Sequence, residues 1–482
     1  MNRDWPRRAG LLLHPTSLPG PQPRGDLGRE AHNFIDFLAA AGMGVWQMLP
    51  LGPTHEDLSP YQCTSVHAGD PQLISLRALV DDGWLGAEDV GRPSTEALPI
   101  AHASFRRQAD PEIRHAFDAF RNTHAAWLPD FALYQALREA QGGKSWIDWP
   151  PALRDRAPAA LKAARHDLAG RIDGIAFEQF LFFRQWQALR DHARAAGIRL
   201  FGDMPIFVAH DSAEVWAHRE YFLLDDEGQP TVVAGVPPDY FSETGQRWGN
   251  PLYDWSRMQA DGFAWWVERL RTQRELFDLI RIDHFRGFEA CWEIPAEAET
   301  AIGGRWVHAP GRALFARLRE VFGDLPLVAE DLGTITPEVE ALRREFGLPG
   351  MKILQFAFGG GADNPYLPHW HEPLSVVYTG THDNDTTLGW YASAPPELQA
   401  HVRDYLGYPG EAMPWPLIRA ALASVAVLAV VPMQDVLALD SAHRMNRPGE
   451  TEGNWRWRFE WEMVPGDLAG RLRALNALYG RI

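Results

Sequence analysis

The stretch Leu279-Ile280-Arg281-Ile282-Asp283-His284-Phe285-Arg286-Gly287 decides the predicted fold. It begins with apolar and β-branched residues, which are typical of a strand buried on both faces, and then changes abruptly to charged residues and glycine. A charge cluster at the C-terminal end of such a strand is where α/β barrels hold their reactive groups. Two further apolar runs end in the same way, at Glu330 and at Asp383. We therefore predict that Asp283, Glu330 and Asp383 converge on one cleft.

Eight apolar runs are predicted as strands, and stretches with helical spacing separate them. The predicted strands lie at 9–14, 45–50, 198–206, 279–283, 325–330, 351–358, 376–381 and 428–435. Strands that alternate with helices favour a parallel sheet, and eight of them complete a closed ring. The sequence therefore predicts an α/β fold, the (β/α)8 TIM barrel.

Long insertions divide the predicted barrel. Residues 1–54 supply the first two strands, a mainly helical insertion occupies 55–170, and the third strand lies in 171–208. A loop subdomain at 209–255, rich in proline, glycine and aromatic residues, is long enough to form a lid over a site. Residues 256–482 supply the remaining strands and a C-terminal helix, and nothing after Asp435 indicates a C-terminal β-domain.

The composition excludes several classes of partner. The chain has 46 basic and 63 acidic side chains, a net charge of −17, which opposes binding to nucleic acid or an anionic membrane surface. Cys63 and Cys291 are the only cysteines, so neither a disulfide framework nor a zinc knuckle is predicted. No stretch reaches the roughly 18 to 20 apolar residues of a membrane span, and no secretory signal begins the chain. We predict a soluble cytoplasmic protein.

The predicted strand ends bring acidic, basic and histidine side chains to one opening of the barrel. These residues are Asp203, Arg281, Asp283, His284, Glu330, Asp331, His382, Asp383 and Asp435. Glycoside transfer needs such a set, because one carboxylate attacks the anomeric carbon while a protonated one gives its proton to the leaving oxygen. In the retaining version the two carboxyl groups lie about 5 to 5.5 Å apart.

Different surroundings are expected to give the three acids different roles. Asp283 lies two residues after Arg281, on the same face of the strand, so the cation holds it ionised as the nucleophile. Glu330 is expected to be kept protonated by neighbouring negative charge and to act as the acid. Asp383 is expected to hold sugar hydroxyl groups and to stabilise the positive charge of the transition state.

Other functions use the same residue types. Carboxylates and histidines in a barrel mouth also bind divalent metals, although no His-x-His motif ends a strand, and His369 and His371 flank Trp370 in a proline-rich loop. Arg281 and Asp283 could also form a buried ion pair with a purely structural role. Three strands that each end in an acidic residue favour a catalytic site instead. A hydrolytic glucosidase and a non-catalytic glucan-binding protein are the remaining alternatives.

At these residues the sequence resembles the amylomaltases, the 4-α-glucanotransferases that form glycoside hydrolase family 77 in the α-amylase clan. The resemblance rests on segments that follow the family's order along nearly the whole chain. These are Ser59-Pro-Tyr-Gln62, Gly202-Asp-Met-Pro-Ile206, the stretch 236–254, Arg281-Ile-Asp-His-Phe-Arg-Gly287, Ala329-Glu-Asp-Leu-Gly333, Thr381-His-Asp-Asn384 and Asn454-Trp-Arg-Trp-Arg458.

The resemblance implies the transfer of α-1,4-glucan segments between maltooligosaccharides, with Asp283 as nucleophile, Glu330 as acid/base and Asp383 as transition-state stabiliser. It implies neither a cofactor nor a metal. The substrate-binding residues that it implies are Tyr61, Asp203, Tyr240, Phe241, Gln246, Trp248, Arg281, His284, His382, Asn384 and Asn454.

Three positions depart from the pattern expected for that family. Glu243 and Arg247 lie in the lid where small or apolar residues are common, and Glu450 stands where a threonine is usual. We expect these departures to affect donor length and acceptor affinity rather than the reaction.

Overall fold

Eight parallel strands form the centre of the molecule. The computed structural model describes residues 6–238, 242–450 and 452–482, and these ranges contain twelve strands. They are β1 (Arg8–Leu12), β2 (Val45–Gln47), β3 (Arg199–Pro205), β4 (Val232–Val236), β5 (Gln246–Pro251), β6 (Leu279–Asp283), β7 (Ala290–Pro295), β8 (Arg305–His308), β9 (Leu327–Ala329), β10 (Gly350–Ile353), β11 (Ser375–Tyr378) and β12 (Leu428–Pro432).

One sheet has the strand order β10-β11-β12-β1-β2-β3-β6-β9, and every pairing within it is parallel. Its two end strands, β9 and β10, also approach each other. The N–H of Ala329, at the end of β9, donates to the carbonyl oxygen of Pro349, just before β10, at 2.8 Å. This bond nearly closes the sheet into a ring. The prediction of a (β/α)8 barrel is confirmed, and all eight predicted strands are present, β6 with the predicted bounds and the other seven shorter.

The parallel register places all C-terminal strand ends on one rim. Asp203 of β3 lies opposite Arg281 of β6, and Pro205 lies opposite Asp283. Apolar side chains fill the space inside the ring. They include Leu12, Val45, Phe201, Leu279, Val328, Met351, Val376 and Val430. Because helices cover the outer face, the strands are buried on both sides, which accounts for their continuous apolar runs.

Eighteen α-helices lie within the described ranges. They are α1 (Arg29–Ala40), α2 (Leu76–Asp81), α3 (Ser94–Gln108), α4 (Pro111–Thr123), α5 (Leu128–Ala140), α6 (Pro151–Arg154), α7 (Pro158–Asp167), α8 (Ala169–Ala195), α9 (Ala213–Ala217), α10 (Trp255–Ala260), α11 (Ala264–Leu276), α12 (Gly311–Phe322), α13 (Pro337–Glu345), α14 (Thr387–Ser393), α15 (Pro396–Tyr405), α16 (Trp415–Ala423), α17 (Met433–Val436) and α18 (Leu468–Leu478). None of them has the length and apolar character that a membrane span requires.

Helices α2 to α7 make up the segment between β2 and α8. Aromatic rings join this segment to α8, with ring centroids 4.6 Å apart for Phe105 and Phe177 and 5.5 Å apart for Phe117 and Phe180. Such offset ring pairs add to the apolar area that each ring buries. The helical segment therefore packs on the barrel through a shared aromatic core.

The segment at 209–255, predicted as a loop, contains two strands of a second sheet. This antiparallel sheet has the order β5-β4-β7-β8, so two of its strands come from residues after β6. Gly235 allows β4 and β5 to approach closely, because a Cβ atom there would lie 2.1 Å from the Gln246 carbonyl oxygen. The pairing was not predicted because it joins distant short segments that glycine and proline interrupt.

The segment after β12 returns the chain to its beginning. The described residues there form α17, short 3-10 turns and α18. Asn476 of α18 donates from its amide nitrogen to the carbonyl oxygens of Ala41 at 3.1 Å and Gly42 at 3.2 Å. These bonds fix α18 against the end of α1.

Candidate active site

Arg281 connects two carboxylates at the C-terminal ends of neighbouring strands. Its Nη1 donates to Asp203 Oδ2 at 2.6 Å, and its Nη2 lies 2.8 Å from Asp283 Oδ1. Burial opposes the positive charge, but Asp203 and Asp283 together raise the pKa of the guanidinium well above its ordinary value. Asp283 therefore lies against a permanent cation, as alternation along β6 predicts for residues two apart.

Glu330 follows β9 and is buried between backbone donors. The His284 N–H donates to its Oε2 at 2.7 Å and the Leu332 N–H to its Oε1 at 3.0 Å. Burial raises the pKa of Glu330 to about 8 against the opposing effect of Arg281, and Asp283 raises it further. Neighbouring negative charge, the cause expected from the sequence, is thus the smaller contribution, and burial is the larger one. Glu330 is consequently neutral at pH 7.

Tyr61 connects the Asp203 side of the site to His382. Its hydroxyl donates to Asp203 Oδ2 at 2.8 Å and lies 2.9 Å from His382 Nε2. The two rings stack with centroids 5.3 Å apart, and His382 Nε2 lies 3.4 Å from Asp383 Oδ1. Burial, Asp203, Asp283 and Asp383 all raise the pKa of Tyr61. A continuous set of contacts thus runs from Asp383 through His382, Tyr61, Asp203 and Arg281 to Asp283.

Asp383 is the most exposed of the three acids, with 47% of its side chain accessible. Asn446 donates from Nδ2 to Asp383 Oδ1 at 2.7 Å, and Arg444 donates to the Asp383 carbonyl oxygen at 2.9 Å. Sequence reasoning missed Asn446, because its proximity to a residue 63 positions earlier arises only from tertiary packing.

Trp455 is a second residue that the sequence analysis did not single out. Its ring centroid lies 6.1 Å from that of Tyr61 and 6.0 Å from that of His382. A signal was available, since Trp455 lies inside the quoted segment 454–458 and aromatic rings stack on sugars. Its backbone has a left-handed conformation, with φ of 63°, which changes the direction of the chain at this point.

Two predicted residues, Trp248 and Gln246, lie on β5 of the second sheet, and Trp248 packs on His284. The Trp248 ring meets the His284 ring edge-on with centroids 4.8 Å apart, and Trp248 Nε1 donates to Gln246 Oε1 at 3.1 Å. Burial lowers the pKa of His284 to about 4, so its ring is neutral. Tyr240 and Phe241, also predicted to bind substrate, lie outside the described residues.

The three departures from the expected family pattern lie at the surface. Glu243 and Arg247 are exposed, and Arg247 Nη2 donates to the Ala296 carbonyl oxygen at 2.7 Å. Glu450 is exposed and accepts from the Asn454 amide through its carbonyl oxygen at 2.9 Å.

Two predicted substrate-binding amides form hydrogen bonds within their own loops. Asn384 Oδ1 accepts from the Thr381 N–H at 2.8 Å and from its hydroxyl at 2.9 Å. Asn454 Oδ1 accepts from the Arg447 N–H at 2.9 Å. These contacts shape the loops on which Asp383 and Asn446 lie.

Two acids that were expected at the opening have structural contacts instead. Asp331 Oδ1 accepts from the Met351 N–H at 2.7 Å, and its Oδ2 lies 3.2 Å from Arg343 Nε. Asp435 is buried and accepts from the hydroxyls of Thr379 at 2.6 Å and Thr387 at 2.7 Å. Asp331 stands next to Glu330, and alternation along the extended chain turns its side chain away from the opening. Asp435 lies in the short helix α17, where strand alternation does not apply, and its side chain is turned towards Thr379 and Thr387.

The described residues include no group of three or more His, Cys, Asp or Glu side chains arranged to hold a metal ion. They do include a carboxylate in an ion pair with arginine and a neighbouring carboxyl group whose pKa burial raises to about 8. Fold and site therefore define a class, the (β/α)8-barrel enzymes whose strand-end carboxyl groups act on glycosidic bonds.

Comparison with known proteins gives the family. The family model described as 4-alpha-glucanotransferase matches residues 13–463. The chain is 56% identical to the 4-alpha-glucanotransferase of Thermus thermophilus, with 98% of each chain covered. It is 48% identical to that of Synechocystis, again with 98% of each covered. The chain belongs to the 4-alpha-glucanotransferase family and is an enzyme, as the sequence analysis predicted.

A solved structure agrees with this assignment. The amylomaltase of Streptococcus agalactiae, determined in complex with acarbose, matches with a TM-score of 0.95 at 36% identity, covering 98% of this chain and 99% of that one. The amylomaltase of Corynebacterium glutamicum matches in fold, with a TM-score of 0.78 at 19% identity.

Proposed function

We propose that this enzyme moves α-1,4-glucan segments from a donor maltooligosaccharide to the 4-hydroxyl group of an acceptor glucan or glucose. In the first step the Asp283 carboxylate attacks the anomeric carbon while Glu330 gives its proton to the leaving glycosidic oxygen. In the second step Glu330 takes the proton of the acceptor hydroxyl, which displaces Asp283 from the same carbon. Two displacements retain the configuration of the linkage.

The observation that carries the proposal is that Asp283 is paired with an arginine while burial raises the pKa of the neighbouring Glu330. Arg281 lies 2.8 Å from Asp283, while burial raises the pKa of Glu330 to about 8. Two carboxyl groups in different protonation states are what acid-assisted nucleophilic attack requires.

The same geometry supports the reversal of Glu330 from acid to base. Asp283 is one of the groups that raise the pKa of Glu330. When Asp283 becomes a glycosyl ester, its negative charge is lost, and the pKa of Glu330 falls. The carboxylate then accepts a proton from the incoming hydroxyl. Asp383, half-exposed and bonded to Asn446, is the proposed stabiliser of positive charge on the ring.

Transfer requires that a sugar hydroxyl outcompete water for the ester. A lid excludes water and holds the acceptor in an attacking position. Trp248 on β5 supports this role for segment 209–255, because its ring packs on His284 next to Asp283. The proposal includes Tyr61, His382 and Trp455 as contacts for the sugar at the cleaved bond. Asp203, whose side chain is fully buried, holds Tyr61 and Arg281 in position.

The proposed chemistry uses side chains of this chain alone, so we propose neither a cofactor nor a metal. The proposed substrates are maltooligosaccharides and longer α-1,4-glucans. Because the net charge is −17, nucleic acid and anionic membranes are not proposed as partners. A cytoplasmic location completes the proposal.

Incubation of the enzyme with maltotriose tests the function. Transfer conserves the number of reducing ends, whereas each hydrolysis adds one. We expect a ladder of longer and shorter maltooligosaccharides with a constant number of reducing ends, unchanged by EDTA. Shortening with a matching rise in reducing ends would identify a hydrolase, unaltered maltotriose a binding protein, and loss of activity in EDTA a metal enzyme.

A further inference from the structure

A cavity of about 530 Å³ lies at the N-terminal ends of the barrel strands, opposite the acidic site. Residues at or before the starts of β1, β3, β6 and β9 line it. Five of the lining residues are arginines: Arg8, Arg190, Arg194, Arg199 and Arg274. Only two are acids, Asp278 and Asp324, which leaves a formal charge of +3. This concentration of positive charge occurs in a chain whose net charge is −17.

Several of these arginines have unused donors. The guanidinium groups of Arg8 and Arg199 form no hydrogen bond or ion pair with the residues that the structure describes, and Nε of Arg8 and of Arg190 is buried without a partner. Burial and the nearby Arg199 both lower the pKa of Arg8, so the two cations repel each other. An anion between them removes this repulsion and satisfies the donors.

Arg190 and Arg274 are held in place by neighbouring groups, and Arg194 lies 3.5 Å from Asp191 on the same helix. Arg190 Nη2 donates to Asp278 Oδ1 at 3.1 Å, and Arg274 Nη1 donates to the Asp324 carbonyl oxygen at 2.6 Å. Burial lowers the pKa of Arg274 against the opposing effect of the Asp324 carboxylate, which is one of the two acids in the lining, so the excess of three positive charges is unchanged. The cavity therefore has fixed walls and excess positive charge, which favour a polyvalent anion over chloride.

We propose that this cavity binds a small organic phosphate with at least two negative charges. Planar guanidinium forks match the oxygens of a phosphate group. The volume lies in the range of small-molecule sites and exceeds what a single inorganic ion fills. Ile198, Phe277 and Pro326 supply an apolar wall for the carbon skeleton.

Calorimetric titration of the full chain tests the proposal, with glucose 6-phosphate, ATP and inorganic phosphate as probes at constant ionic strength. We expect at least one organic phosphate to bind at least tenfold more tightly than inorganic phosphate, and to raise Tm by at least about 2 °C near saturation. Saturating maltotriose should leave this binding unchanged, since the acidic site lies at the other barrel end. Equal or undetectable binding of all three probes would overturn the proposal, as would displacement by maltotriose.

Two variants locate the site. Arg199→Gln should weaken binding at least tenfold and, without ligand, should melt no lower than the wild type because it relieves repulsion on Arg8. Arg194→Gln, whose side chain is 66% exposed, removes a second cation at a position that folding does not require. Arg77→Gln, 67% exposed on α2, is the control and should bind normally. Unchanged affinity in both cavity variants would overturn the proposal.

Discussion

The two ends of strand β6 hold similar ion pairs in opposite surroundings. Asp278 precedes the strand and lies 3.1 Å from Arg190, whereas Asp283 ends it and lies 2.8 Å from Arg281. Each aspartate side chain is 29% exposed. Asp278 borders an arginine-rich cavity, while Asp283 lies beside the buried, neutral Glu330. An aspartate–arginine pair is therefore not diagnostic of catalysis, and the second carboxyl group is what distinguishes the two ends.

Parallel strands cause this division. Because all eight strands point the same way, one rim collects residues that end strands and the other collects residues that begin them. The first rim carries Asp203, Asp283, Glu330 and Asp383 with one buried arginine, and the second carries five arginines with two acids. The two rims are thus suited to different ligands.

The largest expected effect comes from exchanging the two aspartates for asparagine, one at a time. Asp283→Asn should lower turnover of maltotriose by roughly 10⁴-fold or more, because the proposed nucleophile acts within a unit whose loss removes most of the acceleration. Asp278→Asn, matched in exposure and in its arginine partner, should retain wild-type turnover. Initial rates of the ladder reaction measure both. If Asp283→Asn kept a tenth of the activity, or if both variants lost activity alike, the distinction between the rims would fail.

A second test concerns the neutral carboxyl group that only the C-terminal rim has. Glu330→Gln should lower kcat/KM by roughly 10²- to 10⁴-fold, because the leaving oxygen loses its proton donor. Burial raises the pKa of Glu330 to about 8, so wild-type activity should fall as pH rises through that value. The residual activity of the variant should not fall in this way as the pH rises through about 8. If the activity of the variant still fell at alkaline pH, a group other than Glu330 would be responsible for the titration.

The same carboxyl group gives a stability prediction with a definite sign. The pKa of Glu330 is raised by folding, so its stabilising proton is present near pH 4.5 and lost as pH rises through about 8. Glu330→Gln does not titrate. The Tm of the variant relative to wild type should therefore be higher at pH 9 than at pH 5, as thermal unfolding at the two pH values measures. A difference of the opposite sign would contradict the burial of a neutral Glu330.

A smaller effect is expected from the residue that holds Asp383. Asn446→Ala removes the 2.7 Å bond to Asp383 Oδ1, and a hydrogen bond to a charged group contributes about 1.5–3 kcal/mol. We expect roughly a 10- to 100-fold fall in kcat with little change in KM, since Asn446 positions a group that acts in the transition state. Asn33→Ala, which removes an exposed amide bonded to Glu30 on α1, is the control. A change confined to KM would reassign Asn446 to substrate binding.

The barrel could be predicted from the sequence because its strands are apolar on both faces and end in charged residues, as at Arg281 to His284. The second sheet could not, because β4 and β7 lie far apart in the sequence, on either side of β6, and pair only through tertiary contacts. Asn446 was missed for the same reason. Asp331 and Asp435 were overpredicted, since a residue's position at a strand end does not fix the direction of its side chain. The raised pKa of Glu330 could not be predicted in full, because its main cause is burial of the side chain, which the sequence alone does not give.

The smallest expected effect concerns the antiparallel sheet, part of which lies over the C-terminal rim. Comparing two tryptophans of this sheet, one near the rim and one away from it, tests whether the sheet excludes water from the site. Trp248 on β5 packs edge-on against His284, whereas Trp306 on β8 packs against Trp292, with ring centroids 5.2 Å apart. Trp248→Ala should raise the number of reducing ends formed per transfer severalfold, because water then reaches the ester at Asp283 more easily. Trp306→Ala removes a ring of the same size from the same sheet and should leave this ratio at its wild-type value. If the two variants gave equal ratios, the sheet would act only as a support, and exclusion of water would have to come from the substrate itself.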